Sequence, residues 1–232
     1  MKIAIMQPYI FPYIGYFQLL NAADKFVNYD DVNFINKGWI NRNRILVSNK
    51  ANLFTIPLEK SSQNKLIKDI QISESRDWKS KFLKTVELSY RKAPYFDDAF
   101  GIISRAIQNN DSNISRFISK SLVLLCNHLE IETNIIESSS VYNNSTLKNQ
   151  NKIIDICHKE NSDNYINPVG GKEIYSEKKF ADEGIKINFL RSKPIQYNQY
   201  NDNFIDSLSI IDVLMFNSKD KIKEFLNEYD LL

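Results

Sequence analysis

The chain has 232 residues, 43% of them hydrophobic and 25% charged, the balance of a soluble globular protein. Thirty Lys and Arg against 28 Asp and Glu leave a formal charge of +2, which excludes a generally basic nucleic-acid surface but not a local basic pocket. No apolar run is long enough for a signal peptide or a membrane span.

The elements follow in chain order. An apolar run at 2–6 predicts a strand, 15–23 a helix and 25–29 a second strand. Strand-like stretches recur at 41–47, 53–57 and 67–72. A helical block then covers 78–90, 95–108 and 114–129, the last with Ile114, Phe117, Ile118, Leu122, Leu125 and Leu129 at three-four spacing. From 134 onward strands and helices alternate: strand 134–138, helix 146–159, strand 164–166, helix 177–183 and strand 185–190. Helices at 207–216 and 219–229 close the chain. Alternation of this kind requires crossover connections. The expectation is a single α/β domain over 1–232 with a mostly parallel, Rossmann-like sheet and a helical insertion at about 77–130.

Four polar clusters sit at the ends of predicted strands, where an open α/β sheet presents its ligand crevice. In the first, Gln7, Pro8 and Tyr9 precede Phe11-Pro12-Tyr13-Ile14-Gly15-Tyr16-Phe17-Gln18. Two prolines set the path of this loop, and Gly15 permits close backbone approach at a helix N-terminus. Its aromatic residues either stack on a base or sugar or belong to the core. In the second, Asp30 and Asp31 end a strand, as a general base, a ribose, amine or Mg²⁺ contact, or a local turn or helix cap; neighbours on a strand point to opposite faces, so at most one faces the crevice.

The third cluster is Lys37-Gly38-Trp39-Ile40-Asn41-Arg42-Asn43-Arg44. Its guanidiniums suit a diphosphate, although arginines on a solvated edge strand read the same way. The fourth holds Asn167, Gly170, Gly171 and Tyr175 after a strand, a turn whose amides can cradle an anion. It lacks the signature of a P-loop. Asp212, among apolar neighbours, is expected to have a structural role, as a cap or in a pair with an arginine such as Arg42 or Arg44. Cys126, Cys157, His128 and His158 fall in helical patterns outside these clusters, so neither a thiol nor an imidazole is expected in the chemistry, and no metal site is expected.

The segment with Tyr13-Ile14-Gly15-Tyr16 resembles the nucleotidyltransferase pattern, with Tyr13 and Tyr16 in place of the two histidines of H-x-G-H. That resemblance implies a nucleotidyltransferase-like sheet using ATP and Mg²⁺. Over nearly the whole chain, the segments 6–9, 11–18, 24–32, 38–45, Tyr165 with Gly170-Gly171 and Tyr175, and 208–214 resemble the WbqC family, with Asn33 and Asn36 where Gln and Lys are expected. The second resemblance implies bacterial surface-glycan (O-antigen) biosynthesis in the cytoplasm. On that reading the partner is a nucleotide-linked amino sugar and the cofactor is ATP or an acyl donor. Asp30, Asp31, Tyr13 and Tyr16 are then the catalytic candidates. The alternatives are a nucleotidyl or adenylyl transferase and a non-enzymatic binding protein of glycan assembly.

Overall fold

The computed structural model describes residues 1–74, 77–200 and 203–232. Its centre is a six-stranded sheet built from β1 (Lys2–Met6), β2 (Lys25–Asn28), β7 (Asn134–Ile136), β8 (Asn164–Pro168), β9 (Lys186–Ser192) and β10 (Tyr229–Leu231), in the order β10-β9-β8-β1-β2-β7. Every pairing is parallel except that of β10 with β9. Strand order therefore runs outward from β1 through β2 to β7, then restarts at β8 on the other side of β1. The C-terminal ends of β1 and β8 flank that reversal, the place where connections diverge and a crevice opens.

The strands are apolar on both faces because both faces are covered. Ala4, Phe26, Ile166 and Leu190 face one core, shared with α1 (Ile14–Ala22), α3 (Phe96–Ile107), α4 (Ile114–Leu129), α7 (Ile210–Phe216) and α8 (Lys219–Leu226). Ile3, Ile5, Val27, Tyr165, Ile187 and Phe189 face the other, closed by α5 (Asn149–Lys159) and by Phe180 of α6 (Glu177–Asp182). The two-residue alternation of a strand assigns each side chain to its core.

The helical block predicted between β2 and β7 comprises α2 (Trp78–Tyr90), α3 and α4. A hairpin of β3 (Arg42–Val47) and β4 (Lys50–Thr55) precedes it, with a short pair, β5 (Leu58–Glu59) and β6 (Gln71–Ile72). The strand expected at 67–72 is a 3₁₀ turn, Ile67–Asp69, followed by β6: the amides of Ile67 and Lys68 reach back to the carbonyls of Val32 and Asp30 instead of forming a ladder. The helix expected to reach residue 229 ends at Leu226, and the last residues form β10, because β9 offers an open edge for pairing.

The loop between β1 and α1 positions everything at the sheet's C-terminal edge. Pro8 and Pro12 give it no amides at those positions, and Phe11 takes a left-handed φ of 41°. Its carbonyls find partners far away in sequence. Tyr16 Oη donates to the Gln7 carbonyl at 2.9 Å. Asn43 Nδ2 donates to those of Ile10 and Phe11, at 3.3 and 2.6 Å. Ser209 Oγ donates to Phe11 at 2.7 Å, and the Ile210 amide to Pro12 at 2.8 Å.

Asn43 is fully buried, and Asn43→Ala removes both of its bonds to the loop. At about 1 kcal/mol for each bond, plus the cost of a carbonyl left unpaired, the variant should lose about 2–3 kcal/mol of unfolding free energy. Urea denaturation with an unchanged m-value reads this directly; a loss under about 0.5 kcal/mol would mean the loop holds without it.

Candidate functional site

The carboxylates that end β2 have opposite environments. Asp30 is sealed: its Oδ2 accepts from Ser115 Oγ at 2.6 Å, and its Oδ1 accepts from Ser138 Oγ at 2.7 Å and the Ser139 amide at 3.2 Å. Asp31 lines a cleft of about 490 Å³ together with Gln7, Tyr29, Lys148, Lys152 and Tyr175. Its Oδ2 lies 2.7 Å from Lys152 Nζ, and its Oδ1 accepts the hydroxyl proton of Ser139. Lys152 Nζ also donates to the Asp31 carbonyl at 3.0 Å and lies 5.3 Å from the centre of the Tyr29 ring. Both side chains of the pair are almost wholly buried. Of the two carboxylates, Asp31 is the one that faces the crevice.

Burial pushes the Asp30 carboxyl above its ordinary 3.8, and the hydroxyls of Ser115 and Ser138 oppose that push. A serine hydroxyl carries one proton and two lone pairs. Ser139 Oγ accepts the amides of Asp30 and Asp31 at 3.2 and 3.3 Å, so its single proton goes to Asp31.

The other predicted residues divide. Gln7 and Tyr175 join the Asp31 cleft. Tyr13 and Gly15 line a second cavity of about 250 Å³ with Ser192 and Lys193, against the α1 side of the sheet. A Cβ at Gly15 would collide with the Tyr13 ring and Ser192 Oγ, which is a packing reason for glycine there. Tyr16 is buried with its hydroxyl on the Gln7 carbonyl, which leaves no donor for a phosphate. Tyr9 sits among rings: Tyr13, Tyr16 and Trp39 have centroids 6.4, 6.1 and 6.1 Å away. Pro8 is buried in the loop.

Several residues read as ligand contacts hold backbone instead. Gln18 is fully buried, and its Nε2 donates to the Phe225 and Glu228 carbonyls at 2.7 and 2.9 Å, tying α1 to the chain's end. Asn41 Nδ2 donates to Ile56 at 2.8 Å, and Asn43 serves the β1–α1 loop. Arg42 folds back on the carbonyls of Gly38 and Lys37, with Lys37 itself in a left-handed turn. Arg44 donates to the Ser207 carbonyl at 3.2 Å. Both guanidinium carbons lie 5.6 Å from the centre of Trp39, a half-exposed ring, and neither arginine lines the Asp31 cleft. Asn167 Nδ2 donates to Tyr165 Oη at 2.6 Å, and Gly171 leaves room for the Asn167 amide; the space around Gly170 is open.

Among the described residues Asp212 pairs with neither Arg42 nor Arg44 nor any other arginine. It accepts from Tyr90 Oη at 2.8 Å, Tyr197 Oη at 2.7 Å and Gln199 Nε2 at 2.8 Å, since the apolar surroundings of α7 are reached by neutral hydroxyls and an amide. Cys126 and Cys157 are buried free thiols, and burial pushes both up to about 12. Thiolates are therefore scarce at neutral pH. Sequence reasoning missed Lys152 and Ser139. The signals were a lysine at the head of an Ile-rich helical face and three consecutive serines just after a strand.

Together these features define an α/β protein with a mostly parallel sheet and a polar cleft at its strand-order reversal. The chain belongs to the WbqC-like protein family, whose model matches residues 7–224. It is 25% identical over 228 residues to the uncharacterized protein Rv1507c of Mycobacterium tuberculosis, covering 97% of each chain. No solved structure matches it. Among the described residues no helix is long and apolar enough to cross a membrane, and no cluster of His, Cys, Asp or Glu is arranged to hold a metal ion.

The raised pKa of Asp30 fixes the sign of its pH dependence. In the unfolded chain it ionises near 3.8, and in the folded chain later. Between those points the folded state holds a proton that the unfolded state has lost, so stability falls as pH rises through the interval and then levels. The stability of the wild type relative to Asp30→Asn should accordingly decline from pH 3.8 upward and flatten once the folded-state carboxyl has ionised. Urea titrations at successive pH values that show the difference growing would contradict the assignment.

Proposed function

We propose that this protein is a cytoplasmic enzyme of bacterial surface-glycan biosynthesis, O-antigen included, that transfers an acyl or aminoacyl group to a nucleotide-linked amino sugar. The carrying observation is the Asp31 cleft at the strand-order reversal. It offers one carboxylate, held in place by Ser139 and Lys152, in a lining that includes the rings of Tyr29 and Tyr175. The aromatic walls suit a sugar or a base, and family membership supports the glycan context.

In the step proposed, the sugar amine attacks the carbonyl carbon of an activated acyl donor, a thioester or an acyl adenylate. A C–N bond forms, the bond to the thiol or to AMP breaks, and the leaving group departs with its electron pair. The proton lost by the amine passes to Asp31. Lys152 orients the carboxylate beforehand. Tyr13 and Tyr16 have no assigned part in this step, because Tyr16 is committed to a carbonyl and Tyr13 lines the other cavity.

Incubation with UDP- or dTDP-linked amino sugars and acyl-CoA, or a free acid with ATP, should give an N-acylated sugar nucleotide by mass spectrometry. Asp31→Asn should lower its rate at least about tenfold, a conservative share for a general base. Absence of any N-acylated product across the sugar and donor panel, from folded protein, would overturn the transferase reading. Nucleotidylated product with ATP alone would favour the nucleotidyltransferase alternative, and sugar-nucleotide binding without turnover the binding-protein one.

A Cys126→Ala/Cys157→Ala variant should retain most of the wild-type rate, since both thiols are buried and protonated at neutral pH. A rate loss of about tenfold or more, with the circular dichroism spectrum unchanged, would point instead to a covalent thioester route.

A further inference from the structure

We infer that Lys152 is the group through which the Asp31 cleft seats an anionic oxygen of its ligand, phosphoryl or carboxylate. The inference rests on reading this cleft as the ligand site, and it adds the residue and the ligand chemistry. An ammonium has three N–H donors. Lys152 uses two, on Asp31 Oδ2 at 2.7 Å and on the Asp31 carbonyl at 3.0 Å. Among the described residues no oxygen takes the third, and the nitrogen faces the Tyr29 ring that walls the cleft. A donor so deeply buried has little access to bulk water, so a ligand oxygen that meets it forms a charge-assisted hydrogen bond under weak screening.

The charge of the cleft supports an anion. Its lining carries Asp31 as the only carboxylate and two lysines, Lys148 and Lys152, hence one positive charge in excess. Lys148 lies at the mouth of the cleft and is exposed. It also precedes the first turn of α5, where there is no acidic residue and no side-chain cap, so the partial positive charge of the helix end adds to the lysines' field. Arg42 and Arg44 beside Trp39 do not line this cleft, and the cations that do are Lys148 at its edge and the buried Lys152.

Binding of three probes by calorimetry tests this: inorganic pyrophosphate, UDP and succinate. At least one should bind the wild-type protein, and Lys152→Met should weaken it by about tenfold or more, as expected for a hydrogen bond to a charged group. Lys159→Met, a lysine lost from the same helix outside the cleft, should bind like wild type. Removing one member of a buried ion pair can unfold a protein. Asp31→Asn/Lys152→Met takes away both charges and should also lose probe binding, with its fold verified by circular dichroism. Binding confined to pyrophosphate and UDP assigns a phosphoryl oxygen, and binding confined to succinate a carboxylate. The inference fails if no probe binds the wild type tighter than about 1 mM. It also fails if a folded Lys152 variant binds as tightly as the wild type. A protein that binds the probes through Lys152 but catalyses no acyl transfer would defeat the proposed reaction and leave this inference intact.

Discussion

The C-terminal edge of the sheet depends on one requirement: the carbonyls of the β1–α1 loop must find donors. A loop with two prolines and a left-handed phenylalanine cannot satisfy itself by local turns, and buried carbonyls without partners are costly. The donors come from Tyr16, Asn43, Ser209 and Ile210, which lie in three separate segments of the chain. The same bonds bring the β3 strand and the start of α7 against the loop. Phe11, forced into an uncommon conformation, has its ring stacked 6.0 Å from Phe82 and its carbonyl doubly bonded. The strain is held by contacts on both its side chain and its backbone.

That requirement explains why some of the polar residues singled out in the sequence hold backbone carbonyls. Asn43 and Gln18 look like ligand contacts because polar residues beside glycine and aromatics often are. Inside the fold they replace water for backbone carbonyls that regular secondary structure does not reach. Asp212 is of the same kind: a buried carboxylate joining α2, the 197–199 segment and α7 through two tyrosines and a glutamine. Periodicity reports which face of an element is buried. It does not report which distant backbone group a buried polar side chain will meet.

The sheet and the helical block were legible because their patterns are long and strong: apolar runs for strands covered on both faces, three-four spacing for α4. The parts that were not legible are those decided by tertiary partners. β10 has the local pattern of a helix end and becomes a strand because β9 leaves an edge open. The 3₁₀ turn after residue 66 bonds to the carbonyls of Asp30 and Val32 and so departs from an apolar pattern that alone reads as a strand. For the site, the alternation rule allowed only one of Asp30 and Asp31 to face the crevice but gave no means of choosing. The choice was made by three serines, two of them adjacent in the chain and the third about twenty residues before them.

Those serines also show what the helical block does for the cleft. Ser115 stands in the first turn of α4, and its hydroxyl closes one side of Asp30, while Ser138 and Ser139 close the other from the turn after β7. Asn28 bridges the same elements, donating to Ser115 Oγ at 3.1 Å and to the Glu137 carbonyl at 3.0 Å. Asp30 is thus a clamp between the sheet's edge and the block. With its backbone pinned, the next residue has little choice of direction, and Asp31 is delivered to Lys152 on the far face. A block that had merely been appended to the sheet would leave Asp30 open to water; here it completes the burial that separates the structural carboxylate from the one facing the cleft.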